Sequence, residues 1–377
     1  MYPHGLAFAA LSQSIKYAFC VLFLGVIAYG CYRHPVPDDF DRYIYEAIVR
    51  GWSQPVEVVY PLVKHESPRA EESSVLQSPE DLRALEPLYA IRPLYLFLIA
   101  VVSHVLPIQR AITLISAASL FGIGVVVLCW TRTPLLAALL MAASPILVLG
   151  RIGTPDGLAA LLAILSLYLM DTDLSPLLGL GVLFMSLGVR TDNILLLLPV
   201  LAWVVHKKRL GVSEAGLGAL LAVGVVLVIN HLAGNYGWIV LFRYSFLGGR
   251  SPAGVSHSLT LLEYVVASGR GVQALLPRLA IWLLLGSAVW WRTRSALLAV
   301  VGFSVAAHIA LYPSPEDRYL AWAYVIVGVA TVRFFLENLH QQWPRGEDKP
   351  FMRHGGSIGE PPDLSSRKGF STGEGRH

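Results

Sequence analysis

Acidic and tyrosine side chains cluster directly after the first apolar segment of the chain. Residues 38–43 read Asp-Asp-Phe-Asp-Arg-Tyr, and Glu46 follows. A carboxylate here could act as a general base toward a hydroxyl group or as a metal ligand. If a helix begins here, Asp38 or Asp39 can cap it, and Asp39, Tyr43 and Glu46 then share one face. The structural alternative is an amphipathic helix lying on the membrane surface with its carboxylates stabilised by the helix dipole, and the spacing leaves both open.

Three later turns each combine an arginine with a nearby carboxylate. They are Arg151 with Asp156, Arg190 with Asp192, and Arg318 with Glu316 and Asp317. The planar fork of arginine binds phosphate oxygens bidentately, so such a residue could hold a phosphate group. Each turn taken alone also fits a plain ion pair between helices or, for Arg318, an anchor at the membrane boundary.

The composition indicates that these turns belong to a membrane protein. Hydrophobic residues make up 55% of the 377 residues and charged residues only 14%, against about 25% in soluble domains. Of the charged side chains, 18 lie within residues 33–92 and 12 within residues 337–377. The pattern predicts an all-α polytopic membrane protein and excludes soluble, disordered and coiled-coil classes.

About ten apolar stretches are candidates for transmembrane helices. They are residues 15–32, 111–130, 134–150, 157–170, 176–189, 193–205, 215–232, 272–291, 295–311 and 319–336. Together they predict one transmembrane domain over residues 1–336. Residues 337–377 are rich in Gly, Pro, Ser and charge, and are predicted to form a disordered cytoplasmic tail.

Basic residues between the spans predict which loops face the cytoplasm. Residues 206–209, residues 291–294 and Arg132 carry the basic clusters. If these are cytoplasmic, alternation places four later loops outside: residues 151–156, 190–192, 233–271 and 312–318. The apolar stretch 93–106 could span or could dip into the interface and return. If it does not span, the loop 33–92 is the first extracytoplasmic loop, which its 11 acidic against 7 basic residues favour.

All four charged clusters then meet at the outer membrane face, each at the end of an apolar segment. Ionisable groups in such positions face a cavity or pair with one another. The sequence therefore predicts a polar extracytoplasmic pocket between helices. No phosphate-cradling loop of the Walker or dinucleotide type is present, so a substrate donor must arrive through or within the membrane.

The order of these motifs resembles the GT-C superfamily of polytopic membrane glycosyltransferases. Residues 39–43, Asp-Phe-Asp-Arg-Tyr, resemble the acidic motif of that family's first external loop, and Ser144-Pro145 followed by Arg151 and Asp156 resembles a later family turn. Two further likenesses are residues 189–192, Val-Arg-Thr-Asp, and residues 318–320, Arg-Tyr-Leu. The resemblance covers residues 10–336, without the external C-terminal domain of larger relatives.

The resemblance implies an enzyme that transfers a hexosyl or pentosyl group, with inversion, from a polyprenyl-phosphate donor. The acceptor is a hydroxyl group on a lipid, a glycan or a protein. The expected place is cell-envelope glycan biosynthesis at the extracytoplasmic face of a membrane, with a bacterial inner membrane favoured by the Ala, Leu, Gly and Val content. No nucleic-acid partner is implied. The alternative from another class is a secondary transporter or lipid flippase.

The resemblance and the chemistry of the side chains together assign roles to ten residues. Asp39 is the expected general base, with Asp41 or Asp38 as alternates. Three arginines are expected to bind the donor phosphate, in the order Arg318, Arg190, Arg151. The expected substrate-orienting residues are Asp156, Asp192, Tyr43 and Glu46. A divalent metal at Asp39 and Asp41 is compatible with this assignment but is not required by it.

Overall fold

The computed structural model describes residues 3–37, 39–66, 76–248 and 251–342. Every regular element in these ranges is helical. The α-helices are α1 (Pro3–Arg33), α2 (Phe40–Gly51), α3 (Val56–Glu66), α4 (Pro79–Ala90), α5 (Pro93–Ser103), α6 (Ile108–Thr131), α7 (Pro134–Met141), α8 (Ser144–Leu147), α9 (Asp156–Asp171), α10 (Pro176–Ser186), α11 (Ile194–His206), α12 (Val212–Leu232), α13 (Trp238–Arg243), α14 (Leu261–Thr293), α15 (Ala296–Leu311) and α16 (Ala321–Gln342). Asp38 lies outside the described residues, as do residues 343–377 of the predicted tail 337–377, whose first six residues are the end of α16.

Five helical segments in the described ranges are long and apolar enough to cross a membrane. They are Gln13–Arg33, Ile108–Thr131, Val212–Leu232, Leu261–Thr293 and Arg318–Asn338. Each coincides with a span predicted from the sequence, and the prediction of a helical membrane protein is confirmed. Much of the α12 and α14 surface is apolar and exposed, which fits contact with membrane lipid.

The predicted count of about ten spans is not supported. The stretches 157–170, 176–189, 193–205 and 295–311 form helices of at most 16 residues. At 1.5 Å per residue a 16-residue helix is about 24 Å long, short of the roughly 30 Å hydrocarbon core. The stretch 134–150 breaks into α7, α8 and a 3-10 turn. Apolar composition identified these stretches, but it does not reveal where a helix ends.

The stretch 93–106 forms a bent pair with the helix before it. Helices α4 and α5 together meet the criteria for a span, but their axes meet at 108° across the break at residues 91–92. Such a bend belongs to a broken span or a re-entrant loop, and α5 alone has only 11 residues. The bend places Arg92 at a helix junction, beside the chain's other charged turns.

Helix α2 does not lie exposed on the membrane surface, the structural alternative that the spacing had left open. All residues from Arg42 to Val49 are buried. The helix packs against α3 and α4 of its own loop and against α5 and α6. The helices of the loop therefore cover both faces of α2, which periodicity within α2 could not reveal.

Asp171, at the end of α9, links three helices, and two arginines follow helix C-termini. The Asp171 carboxylate accepts hydrogen bonds from Trp130 Nε1 at 3.0 Å and from Arg333 Nη1 at 2.5 Å, which joins α6, α9 and α16. Arg132 and Arg294 follow helices with left-handed backbone, at φ 54° and 52°. A cation at a helix C-terminus interacts favourably with the helix dipole.

Candidate functional site

Asp156 lies at the centre of a buried ion-pair network. It opens α9, and its side chain is 4% exposed. Arg190 Nη1 donates to Oδ1, and Thr154 Oγ1 donates to Oδ2 at 2.7 Å. Arg318 Nε lies 3.6 Å from the same Oδ2. Residue 156 therefore pairs with arginines 34 and 162 positions away rather than with its sequence neighbour Arg151.

Arg190 is held between two carboxylates and an aromatic ring. It binds Asp192 through two nitrogens, with Nε 2.9 Å from Oδ1 and Nη2 on Oδ2. Its guanidinium carbon lies 4.8 Å from the ring centre of Tyr319. His308 Nδ1 lies 3.5 Å from Asp192 Oδ2, so α15 also reaches the network. The cavity among these groups is only ≈ 20 Å³, room for about one water molecule.

Arg318 connects the last motif of the chain to the first. Its Nη2 donates to Asp41 Oδ2 at 3.2 Å, across 277 residues of sequence. Its Nε forms an ion pair with Glu316, and its guanidinium carbon lies 5.1 Å from the Tyr319 ring centre. The acidic motif after α1 and the Arg-Tyr-Leu motif before α16 therefore share one site.

Asp39 and Asp41 differ in whether a carboxylate oxygen is left without a hydrogen-bond partner among the described residues and could accept a proton. Tyr89 Oη donates to Asp41 Oδ1 at 2.5 Å, so both oxygens of Asp41 have partners. Asp39 is buried and accepts one hydrogen bond, from Gly153 N to Oδ2. Its Oδ1 accepts none from the described residues. Burial raises the pKa of Asp39, and the charge of Asp41 raises it further, against a smaller opposing effect of the Gly153 hydrogen bond. Asp39 is therefore the better proton acceptor.

Three residues predicted from the sequence lie apart from the network. Arg151 is exposed, and its Nε donates to the carbonyl of His34 at 3.0 Å. Tyr43 is buried and accepts a hydrogen bond from the guanidinium of its neighbour Arg42. Glu46 is buried two turns into α2, where Arg50 donates to it. Asp38 is outside the described residues.

Arg92 belongs to the site and was not predicted. Its Nη1 donates to the Leu88 carbonyl at 3.1 Å, and its guanidinium lies over the rings of Tyr45 and Tyr89 at 5.6 and 5.4 Å. It interacts electrostatically with Asp41 and Arg190. No carboxylate of the described ranges lies within ion-pair distance of it. Arg92 directly precedes an apolar helix, as Arg318 does, and this shared position could have identified it in the sequence as a site residue.

The site holds more carboxylates than guanidinium groups. The acidic members are Asp39, Asp41, Asp156, Asp192 and Glu316, and the basic members are Arg92, Arg190 and Arg318. The described residues include no group of three or more His, Cys, Asp or Glu that could hold a metal ion. Asp39 and Asp41 have different hydrogen-bond partners, and a divalent metal held by these two residues stays a prediction.

Gly153 sets the position of Asp39, which yields a testable prediction. A Cβ on Gly153 would lie 2.7 Å from Arg42 Cβ and 3.0 Å from Asp39 Oδ2. Gly153→Ala should therefore displace the Asp39 carboxylate, and if Asp39 is the general base expected from the sequence, an error of about 1 Å can lower kcat about 100-fold. Activity per folded molecule measures the effect. Gly181→Ala, where a Cβ meets nothing within 4 Å, is the matched control. Equal activity of both variants would contradict the prediction.

Comparisons with protein-family models, with curated proteins and with solved structures find no match to this chain. The function is therefore argued from the geometry of the site and from the chemistry of its residues.

Proposed function

We propose that the protein is a membrane glycosyltransferase that transfers a sugar from a polyprenyl-phosphate donor to a hydroxyl acceptor, with inversion. One observation carries the proposal: Asp41 of the first motif and Arg318 of the last lie in one buried network with Asp156 and Arg190. Burying so many charges is costly, and such networks occur preferentially where they have a chemical task.

Asp39 is the proposed general base. The acceptor oxygen attacks the anomeric carbon from the face opposite the phosphate, and its proton passes to Asp39 Oδ1. The bond from the anomeric carbon to the phosphate oxygen breaks, and that oxygen keeps the electron pair. The polyprenyl phosphate leaves with an added negative charge, which arginines stabilise. Asp156 and Asp192 are positioning residues that fix the guanidinium of Arg190.

Arg92 is the arginine best able to accept the donor phosphate, because Arg190 and Arg318 already bind carboxylates. Charge-assisted hydrogen bonds contribute about 1.5–3 kcal/mol, so Arg92→Gln should lower kcat/KM by roughly 10- to 100-fold. Arg92→Lys should restore only part of the activity, because lysine lacks the planar fork. Arg270→Gln, at an exposed position of α14, is the control. Wild-type kinetics in Arg92→Gln would remove Arg92 from the phosphate site.

The raised pKa of Asp39 predicts the acid limb of the activity profile. Only the ionised carboxylate accepts a proton, so activity should fall as pH drops through a pKa above that of an ordinary aspartate. Asp41→Asn removes the neighbouring negative charge and should move this limb to lower pH. The measurement is kcat against pH for both proteins. If the acid limb of the Asp41→Asn profile coincides with that of the wild type, a group other than Asp39 sets it. Glu80→Gln, in the same loop but 73% exposed, is the control and should leave the limb unchanged.

The proposed orientation places this site outside the cytoplasm, in a bacterial inner membrane. The shorter apolar helices α10, α11 and α15 would complete the bundle beyond the five long spans. Val58 is half exposed on α3 and suits a labelling test. In a Cys129→Ser background, Val58→Cys should react with a membrane-impermeant maleimide added outside intact cells. Labelling only after the membrane is opened would place the loop, and with it the site, in the cytoplasm.

The decisive test uses the purified full chain in lipid nanodiscs with polyprenyl-phosphate sugars and hydroxyl acceptors. Transfer that depends on Asp39 supports the enzyme. Movement of the donor across a vesicle bilayer without transfer would instead favour the flippase alternative, for which the bent pair α4 and α5 is the relevant feature, since broken helices are common in transporters.

A further inference from the structure

A second polar cleft opens beside α2. Its volume is ≈ 590 Å³, and it is lined by Glu46 and Arg50 of α2, Ser103 of α5 and residues 106–110 at the start of α6. Glu46 lies seven residues beyond Asp39, which is about 10 Å along a helix axis. The cleft is separate from the ion-pair network, because its charged side chains contact one another and Tyr32, and none of these residues belongs to that network.

Glu46 leaves one hydrogen-bond acceptor of the cleft wall unused. The residue is 1% exposed. Arg50 Nε and Nη2 both donate to Oε1, at 2.8 and 2.6 Å. Oε2 is buried and has no hydrogen-bond partner among the described residues. A buried carboxylate oxygen without a donor is costly, so this wall is complementary to a group that supplies N–H or O–H.

The same cleft offers positive charge to an anion. Arg110 is exposed, its guanidinium carbon lies 5.6 Å from the Tyr32 ring centre, and no carboxylate of the described ranges is within 4.0 Å of it. Arg50 is 30% exposed at its side chain, is paired with Glu46 and lines the cleft with it. The cleft therefore suits a ligand that carries both an anionic group and a hydrogen-bond donor.

The surroundings of the cleft are those of a membrane boundary. Pro107 and Ile108 begin α6, one of the five long apolar spans. The neighbouring α5 exposes the apolar side chains of Phe97 and Val101, and Val105 just beyond it is 80% exposed. A ligand with its polar group in the cleft would have its apolar part along this surface.

We propose that the cleft binds the headgroup of a zwitterionic phospholipid with a primary ammonium group, of the phosphatidylethanolamine type. The ammonium donates to Glu46 Oε2, and the phosphate pairs with Arg50 and Arg110. Arg50 rotates from Oε1 to the phosphate, and the ammonium, with its several N–H groups, then serves both oxygens of Glu46, so every charge remains paired. A quaternary ammonium headgroup has no N–H and would leave Oε2 unsatisfied. This inference is independent of the proposed sugar transfer.

Native mass spectrometry of the purified full chain tests the proposal with short-chain phosphatidylethanolamine and phosphatidylcholine. The wild type should bind the first about tenfold more tightly, the effect of one charge-assisted hydrogen bond. Arg110→Gln should weaken both lipids by a similar factor, whereas Arg270→Gln should weaken neither. Glu46→Gln should bind the two lipids equally. Equal binding by the wild type, or undiminished binding by Arg110→Gln, would overturn the proposal even if Glu46→Gln fails to fold.

A further arm separates a lipid from a soluble ligand of the same chemistry. Glycerophosphoethanolamine carries the headgroup without acyl chains, and it should bind much more weakly than the lipid, because the exposed surface of α5 contributes nothing to it. Binding as tight as that of the lipid would overturn the lipid assignment.

Discussion

Asp39→Asn is expected to abolish sugar transfer, with kcat lowered by about 10²- to 10⁴-fold, the usual contribution of a general base. Asparagine keeps the size of the side chain and can still accept the hydrogen bond from Gly153 N. Burial already favours the neutral form at this position, so folding should not suffer. The measurement is single-turnover transfer from a polyprenyl-phosphate sugar by purified variant protein.

Glu80→Gln provides the matched control, because it removes a carboxylate from the same loop at a position 73% exposed to solvent. Its turnover should equal that of the wild type, and both variants should reach the membrane in equal amounts. Wild-type turnover by Asp39→Asn would refute the assignment of the base, and Asp41→Asn would then be the next variant to assay.

Asp156→Ala is expected to cause the largest loss of stability. The substitution removes a buried carboxylate on which Arg190 and Arg318 converge. Removing one partner of a buried ion pair costs about 3–5 kcal/mol, because the remaining charge stays desolvated. The free energy of unfolding in mixed micelles, or the denaturation midpoint, measures this loss.

Asp173→Asn is the control for that comparison, because asparagine removes the charge and tolerates the left-handed backbone of this residue, at φ 58°. Asp173 also pairs with an arginine, Arg209, but its side chain is 65% exposed. Exposed pairs contribute about 1 kcal/mol or less, so this variant should remain close to the wild type. Equal stability of the two variants would mean that the Asp156 network is not buried in the native protein.

The five long helices could be predicted from the sequence, because a long apolar run depends only on local composition. Arg190 and Arg318 were correctly placed with Asp41 and Asp156 at one end of the bundle. The partner of Asp156 was not predictable from spacing, since Arg151 is nearer in sequence but turns outward to His34.

The errors have a common physical origin in tertiary packing. Helix α2 is buried partly by α3 and α4 of the same loop. The hydrophobic pattern of α2 alone does not show that these helices fold over it. Arg92 acquired its place through the 108° bend between α4 and α5, a feature that an apolar run conceals. Helices α7 and α10 likewise end before the apolar stretches 134–150 and 176–189 do, so these stretches are shorter as helices than composition alone predicted.

The contact between Asp41 and Arg318 has a consequence for biosynthesis. A ribosome adds about 5–20 residues per second, so the 277 residues between them take roughly 14–55 s to make. During that interval Asp41 of the nascent chain has no Arg318 with which to form an ion pair. A chain cut short before Arg318 would lack the arginine that pairs with Asp41. The ion pair that joins the first motif to the last can therefore form only after the final helix has begun to be made.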